Sequence, residues 1–400
     1  MAAPLLAMAC TAAPPVRESP VKLSAGDAHS ADIAPKPFCE VRGTAVRTNF
    51  EGAAVFSCST GADGPVLVIA PEYSPINPSP WYAYRVETGQ AGVVALTHVY
   101  RGGKHRYAPW ISANGEDWQL LPEDSVVISD GGYTVMFTVE IPEGGALVAA
   151  QPLLSHVETA RWIHELAAKR NLTSKVVAES SGGRTVELYS TQPEDSAGLV
   201  VLIGRQHPPE VTGAFAFRDF AERLLESDPL ADAFRRHFVL ALVPMVNPDG
   251  VARGHWRTNR QGVDLNRDWG PFTQAETRGI ANWIAEANQV TPLALFLDFH
   301  STWFDVFYSQ HPEDRPTPAG FDTAWRDAMA ARLGDDMPAW SGAHNPGLPT
   351  AKSWARKHYG VTAITYEVAD TTPLDAIRHK ARIAAEEMMK VLLQKEALTQ

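Results

Sequence analysis

Cysteine is scarce: the 400 residues hold three, Cys10, Cys39 and Cys58. That is too few for a disulfide-built scaffold or for a zinc site made of cysteine alone. Cys39 and Cys58 either pair, if their strands are neighbours in an oxidising compartment, or sit as two small buried hydrophobes. Long apolar runs are missing too. No stretch approaches the roughly eighteen apolar residues of a membrane-crossing helix, so no transmembrane segment is expected. Positive charge is in deficit, with 35 Lys and Arg against 46 Asp and Glu and a net charge of −11. An acidic chain repels phosphate backbones, which argues against nucleic-acid partners but leaves room for a local basic pocket. Hydrophobic residues at 45% and charged residues at 20% exclude a mainly disordered chain, a coiled coil and a collagen-like repeat.

The first ten residues form a short apolar run that ends in small residues and Cys10. It looks like the end of a bacterial lipoprotein signal, although no Lys or Arg precedes it. Residues 1–36 are read as a disordered tail or signal remnant, of which 11–36, rich in Ala, Pro, Ser and Asp, form a tether. A signal would make the protein periplasmic or lipoprotein-anchored; otherwise it is cytoplasmic.

Residues 37–150 carry short β-rich runs at 41–46, 53–58, 65–69, 82–86, 92–99, 108–111, 125–128 and 133–140, punctuated by turn signals such as Asp130, Gly131 and Gly132. Such spacing predicts a small antiparallel β-sandwich, with Trp81, Tyr82 and Tyr84 in its core. Near 141–151 the strand pattern gives way to Pro, Gly and Ala. Residues 151–400 then alternate. Helices are expected over 155–170, 211–226, 273–288, 321–333 and 374–395. Strands are expected over 175–178, 185–189, 199–203, 238–243, 293–299 and 361–366. This is the pattern of an α/β domain with a buried mixed sheet.

In α/β sheets, ligands gather at the carboxyl edge of the strands. Three predicted strands end near a His or a Glu there. The run 199–203 leads to His207 and Glu210, three apart in a proline-stiffened turn; 293–299 leads to His300; 361–366 leads to Glu367. Two His and one Glu, with a fourth position left open, make a catalytic zinc arrangement. The plainer alternative for His207 and Glu210 is a helix cap and an answer to the helix dipole. Trp303, Phe304, Phe307 and Tyr308, just after His300, are expected to line the wall.

The ordered set His207-Pro208-Pro209-Glu210, Asn247-Pro248-Asp249-Gly250, Asp264-Leu265-Asn266-Arg267, His300 and Glu367 resembles the zinc metallocarboxypeptidase family. Phe50-Glu51-Gly52 and the stretch from Pro80 to Arg85 resemble the β-domain of its cytosolic-carboxypeptidase-like subgroup, in its bacterial type. The resemblance implies a mixed-sheet zinc carboxypeptidase domain behind the sandwich, and one Zn²⁺ per chain on His207, Glu210 and His300. It implies that Asp264 holds the free ring nitrogen of His207. Glu367 would be the general base and Arg257 the group that polarises the scissile carbonyl. Asn266 and Arg267 would grip the terminal carboxylate of a peptide substrate. Lys352, fifteen residues before Glu367, would face the last side chain and favour Glu or Asp; the alternative is a solvated residue on a short helix capped by Thr350. The family's substrate-capping tyrosine has no counterpart in 341–347, where His344 is the candidate stand-in. Rival functions are an amidohydrolase acting on N-acyl amino acids, a carboxypeptidase for peptidoglycan stem peptides, and a catalytically dead binding module.

Overall fold

The structure, a computed structural model, describes residues 38–193, 196–309, 316–342 and 344–397. The segment 1–36 with Cys10 lies outside the described residues.

Two sheets face each other in the N-terminal part. One has six strands in the order Cys39–Val41, Thr44–Arg47, Ala83–Thr88, Ala146–Ala149, Trp110–Ser112, Gln119–Leu120. The other has five, ordered Ser57–Thr60, Pro65–Ile69, Gly92–Tyr100, Thr134–Ile141, Val126–Ser129. All pairings are antiparallel except that of Pro65–Ile69 with Gly92–Tyr100. Alternating residues such as Val135, Phe137, Val139 and Ile141 fill the space between the sheets, with Trp81, Tyr82 and Tyr84 in the same core. Cys39 and Cys58 are joined as a disulfide and tie one sheet to the other.

The sequence pattern misplaces the short elements here. The run 41–46 is a hairpin, because Arg42 and Gly43 turn it at φ +53° and +80°. The run 53–58 starts late, at Ser57, with Ala54 making only an isolated bridge to Ala83. Ala146–Ala149, in the stretch that lacks a strand pattern, is a central strand of the six-stranded sheet. Four apolar residues in a row, three of them buried, give no alternation to detect.

The second part is built on an eight-stranded mixed sheet. Its order is Thr173–Glu179, Thr185–Ser190, Phe238–Val243, Gly198–Gly204, Leu293–Thr302, Thr362–Ala369, Val306–Tyr308, Ala339–Ser341. Gly198–Gly204 is buried along its whole length and runs parallel to both neighbours. Helices His156–Arg170, Val211–Leu224, Pro229–His237, Phe321–Leu333 and Leu374–Ala397 contribute to the core on one face. Ala275–Asn288 and Ala351–Tyr359 cover the other. The helix Pro229–His237 is absent from the sequence expectation, yet Asp228 caps it through two amides and Pro229 opens it.

His300 and Glu367 do not follow their strands, as the pattern suggests, but lie inside them. Leu293–Thr302 and Thr362–Ala369 run on together as a parallel pair, and their register sets His300 beside Glu367. Ser301 and Thr302 continue the ladder as polar residues, so the apolar run ends before the strand does.

Candidate active site

His207 and Glu210 come from the turn between Gly198–Gly204 and the helix Val211–Leu224. The start of that helix presses on the strand that carries His300. A Cβ on Gly213 would stand 2.3 Å from the His300 carbonyl oxygen, so only glycine permits the approach. The three side chains are buried, and one donor atom from each lies within 4.8 Å of the others. Glu210 spans the two rings, with Oε1 2.7 Å from His207 Nδ1 and Oε2 2.6 Å from His300 Nδ1.

Each ring is held from behind by an aspartate. His207 Nε2 is 2.9 Å from Asp264 Oδ1, and His300 Nε2 is 2.8 Å from Asp298 Oδ2. A carboxylate on the far nitrogen fixes ring orientation and leaves the near nitrogen free to donate its lone pair. Burial would raise the Glu210 carboxyl, but the imidazoles of His207 and His300 hold it well below the usual carboxylate range. Asp264 is also held low, against burial, first by His207 and then by Arg257 and Arg267. Three carboxylates, those of Glu210, Asp264 and Asp298, thus face two imidazoles, and a divalent cation would balance that excess of negative charge. Two imidazole nitrogens and one carboxylate oxygen, with a side left open to a cavity, suit zinc.

The cluster opens into a cavity of about 370 Å³ that also meets Arg257, Asn266, Arg267, Lys352 and Glu367. Arg257 donates from Nε to Asp264 Oδ2 at 2.6 Å. Asn266 Oδ1 accepts the Ala351 amide at 2.9 Å, and its Nδ2 lies 3.2 Å from His300 Nε2. Arg267 donates from Nη1 to the Asn266 carbonyl at 2.7 Å. Burial pushes the Glu367 carboxyl up to about 7. Thr350 does cap a helix, Ala351–Tyr359, yet Lys352 is buried rather than solvated; its ammonium donates to the Ser309 carbonyl at 3.1 Å. Burial and Arg356 bring the lysine down to about 8.

Trp303 and Tyr308 line the cavity, whereas Phe307 points the other way, stacked on Tyr366 and Trp340 in the core. Successive residues of a strand face opposite sides, so Phe307 and Tyr308 cannot both face the site. His344 stacks on Tyr308 at 3.9 Å between ring centroids, and both line the cavity.

Two site residues escape the sequence pattern. Asp298 lies two residues before His300, on the same strand face, and that alternation was a usable signal. Arg106 comes from the sandwich. It donates to Asp370 at 2.8 Å and to Ser79 at 3.1 Å, and its guanidinium lies 4.6 Å from the centre of the Trp303 ring. Its distance in sequence, 264 residues from Asp370, leaves no local trace.

Residues 159–387, more than half of the chain, match the zinc carboxypeptidase family. The chain belongs to that family. Over 72 residues it is 49% identical to human cytosolic carboxypeptidase-like protein 5, which covers 18% of this chain and 8% of that one. Over 108 residues it is 32% identical to mouse cytosolic carboxypeptidase 6, covering 26% and 20%. The chain thus matches only a small part of these relatives' length. An uncharacterized protein of Zymomonas mobilis is 29% identical over 201 residues, 47% of this chain and 50% of its own. The metallo-carboxypeptidase from Burkholderia cenocepacia has the same fold, with a TM-score of 0.73 at 20% identity over 89% of this chain and all of the other. The metallo-carboxypeptidase from Pseudomonas aeruginosa, solved with (2-guanidinoethylmercapto)succinic acid, gives 0.70 at 22% identity, over 88% and 99%. Both alignments run through the sandwich as well as the mixed sheet.

Proposed function

We propose that the protein is a zinc-dependent carboxypeptidase that hydrolyses the C-terminal bond of peptides and prefers a terminal Glu or Asp. One observation carries this reading. The His207, Glu210 and His300 cluster shares one cavity with a half-buried carboxylate, Glu367, and with three cations, Arg257, Arg267 and Lys352.

One zinc per chain would be held by His207, Glu210 and His300, supplying a Lewis acid that polarises a carbonyl and acidifies water. Glu367 takes the proton from the attacking water and returns it to the leaving amine. The Arg257 guanidinium, fixed by Asp264, meets the negative charge that develops on the carbonyl oxygen. Arg267 binds the terminal carboxylate as a planar fork. Asn266 helps through Nδ2, because its oxygen is already committed to Ala351. Lys352 faces the last side chain, and in a cavity shielded from water its charge counts for more than the roughly 0–1 kcal/mol of an exposed pair.

The test is a panel of blocked tripeptides ending in Glu, Phe or Lys, assayed with zinc and with chelator. Chelator-sensitive release of the last residue, fastest for Glu, is expected. Cleavage of N-acyl amino acids with none of the tripeptides would make the protein a deacylase instead. His300→Ala should lose metal and activity together; full zinc occupancy in that variant would place the metal elsewhere. The disulfide between Cys39 and Cys58 favours an oxidising compartment, which supports a second reading, a carboxypeptidase for peptidoglycan stem peptides; cleavage of those peptides with none of the tripeptide ending in Glu would favour it over the first.

A further inference from the structure

The segment that presents Arg257 is held by a residue of the sandwich. Glu72 follows the strand Pro65–Ile69 and lies 185 residues before Arg257 in sequence. Its carboxylate accepts three consecutive amides, from Trp256 at 2.7 Å, Arg257 at 3.1 Å and Thr258 at 2.8 Å. The Thr258 hydroxyl donates to it as well, at 2.7 Å. The Glu72 side chain is only 8% exposed; its Oε1 takes the Arg257 and Thr258 donors and its Oε2 the Trp256 amide.

The neighbours of this carboxylate fix the same segment. The Trp256 indole donates to the Trp81 carbonyl at 3.1 Å, and its ring is part of the sandwich core. Gly254 turns at φ +61°, where a Cβ would stand 2.6 Å from the Gly52 carbonyl oxygen. Residues 254–258 therefore belong by sequence to the mixed-sheet part and by packing to the sandwich. The guanidinium of Arg257 is then aimed by Asp264, the aspartate that also holds His207.

We propose that Glu72 is a positioning residue for Arg257. Through this carboxylate, which binds the Arg257 amide itself, the sandwich sets where the Arg257 backbone sits relative to the His207, Glu210 and His300 cluster. The inference rests on Arg257 acting on the developing oxyanion, as proposed above. Its physical basis is the sensitivity of such groups to placement: a shift of about 1 Å can cost on the order of 10² in rate. Charge-assisted bonds to three successive amides leave the segment few alternative conformations. A carboxylate that only joined the two parts would alter stability without acting through Arg257.

The experiment is a double-mutant cycle with Glu72→Ala and Arg257→Ala, using the blocked tripeptides ending in Glu, Phe or Lys. Zinc content and thermal midpoint are read alongside kcat and KM. Arg257→Ala should lower kcat by on the order of 10²–10³. Glu72→Ala should lower kcat by about 10–10² with KM nearly unchanged and zinc retained, the size expected of a misplaced group. The double variant should be no slower than Arg257→Ala alone. Glu72→Gln, which keeps one acceptor oxygen, should fall between wild type and Glu72→Ala, and it carries the cycle if the alanine variant does not fold. Wild-type kcat in both Glu72 variants overturns the proposal. So does a double variant slower by the full Glu72→Ala factor. Wild-type kcat in Arg257→Ala would instead remove Arg257 from the mechanism, a separate failure.

Discussion

Glu210 and Glu367 are the same side chain in different company. Glu210 sits between two imidazoles and is held low, whereas Glu367 has no ion-pair partner among the described residues and is pushed up by burial. Glu367→Gln should therefore keep its zinc and its fold but lose on the order of 10²–10⁴ in kcat, the range of a general base. Metal analysis and kinetics on one preparation check this, and near-normal turnover would take Glu367 out of the mechanism. Lys352 has a pH signature of its own. With its ammonium brought down to about 8, it is charged below that pH and neutral above it. The ratio of kcat/KM for a peptide ending in Glu over one ending in Gln should be highest below about pH 7, one unit under the lysine, and should fall as pH rises through 8. A ratio that is flat across this range, or unchanged in Lys352→Met, rules out Lys352 as the selector. The proposed metal ligands could be read from the sequence because a step of three residues from His207 to Glu210, and a His near a strand end, are local patterns. Arg106 and Glu72 could not, since each acts across more than 180 residues, 264 to Asp370 and 185 to Arg257.

At the scale of elements, the site depends on one register and one close approach. The ladder of Leu293–Thr302 with Thr362–Ala369 sets His300 beside Glu367, and a slip of one residue would turn one of them to the opposite face. Gly213 lets the helix behind Glu210 touch the His300 backbone. Gly213→Ala should push helix and strand apart, lowering the thermal midpoint and the zinc affinity together. A cap elsewhere provides the control. Ser155 and Glu158 form a capping box at the start of His156–Arg170, and its hydrogen bonds involve no residue of the cluster. Ser155→Ala should cost about 1 kcal/mol of stability and leave zinc affinity unchanged. If Gly213→Ala binds zinc as tightly as Ser155→Ala does, the close approach does not shape the site. Long periodic elements such as Phe321–Leu333 and the buried run Gly198–Gly204 were legible from the pattern alone. Ala146–Ala149 and Gln119–Leu120 were not, because so few residues carry no period, and their pairing partners decide what they become.

At the scale of the molecule, the largely apolar sandwich interior holds one imidazole whose protonation is linked to folding. His98 lies wholly inside it, with Nε2 2.8 Å from the Tyr84 hydroxyl and Nδ1 3.4 Å from that of Tyr100. Tyr82 and Phe137 meet the imidazole edge to face, at 4.5 Å and 4.9 Å between ring centroids. Burial, and then the charge of nearby His105, push His98 down to about 3. An unfolded histidine takes its proton near pH 6.5. Between those two values the unfolded chain binds one proton more than the folded one, so stability falls as pH falls. The contribution is whole above pH 6.5, and each unit below it costs about a factor of ten in the folding equilibrium. His105 is also lowered by burial and adds in the same direction. His98→Gln removes the titration while keeping a polar group between the tyrosines. This variant should be less stable than wild type at pH 8 and should lose less of its thermal midpoint between pH 8 and pH 5. Equal losses in the two proteins would mean that His98 takes up its proton without unfolding the sandwich. Because Trp256 and Glu72 tie that sandwich to the Arg257 segment, the wild type should lose activity in the same acid range in which the sandwich loosens, and the Gln variant should lose less.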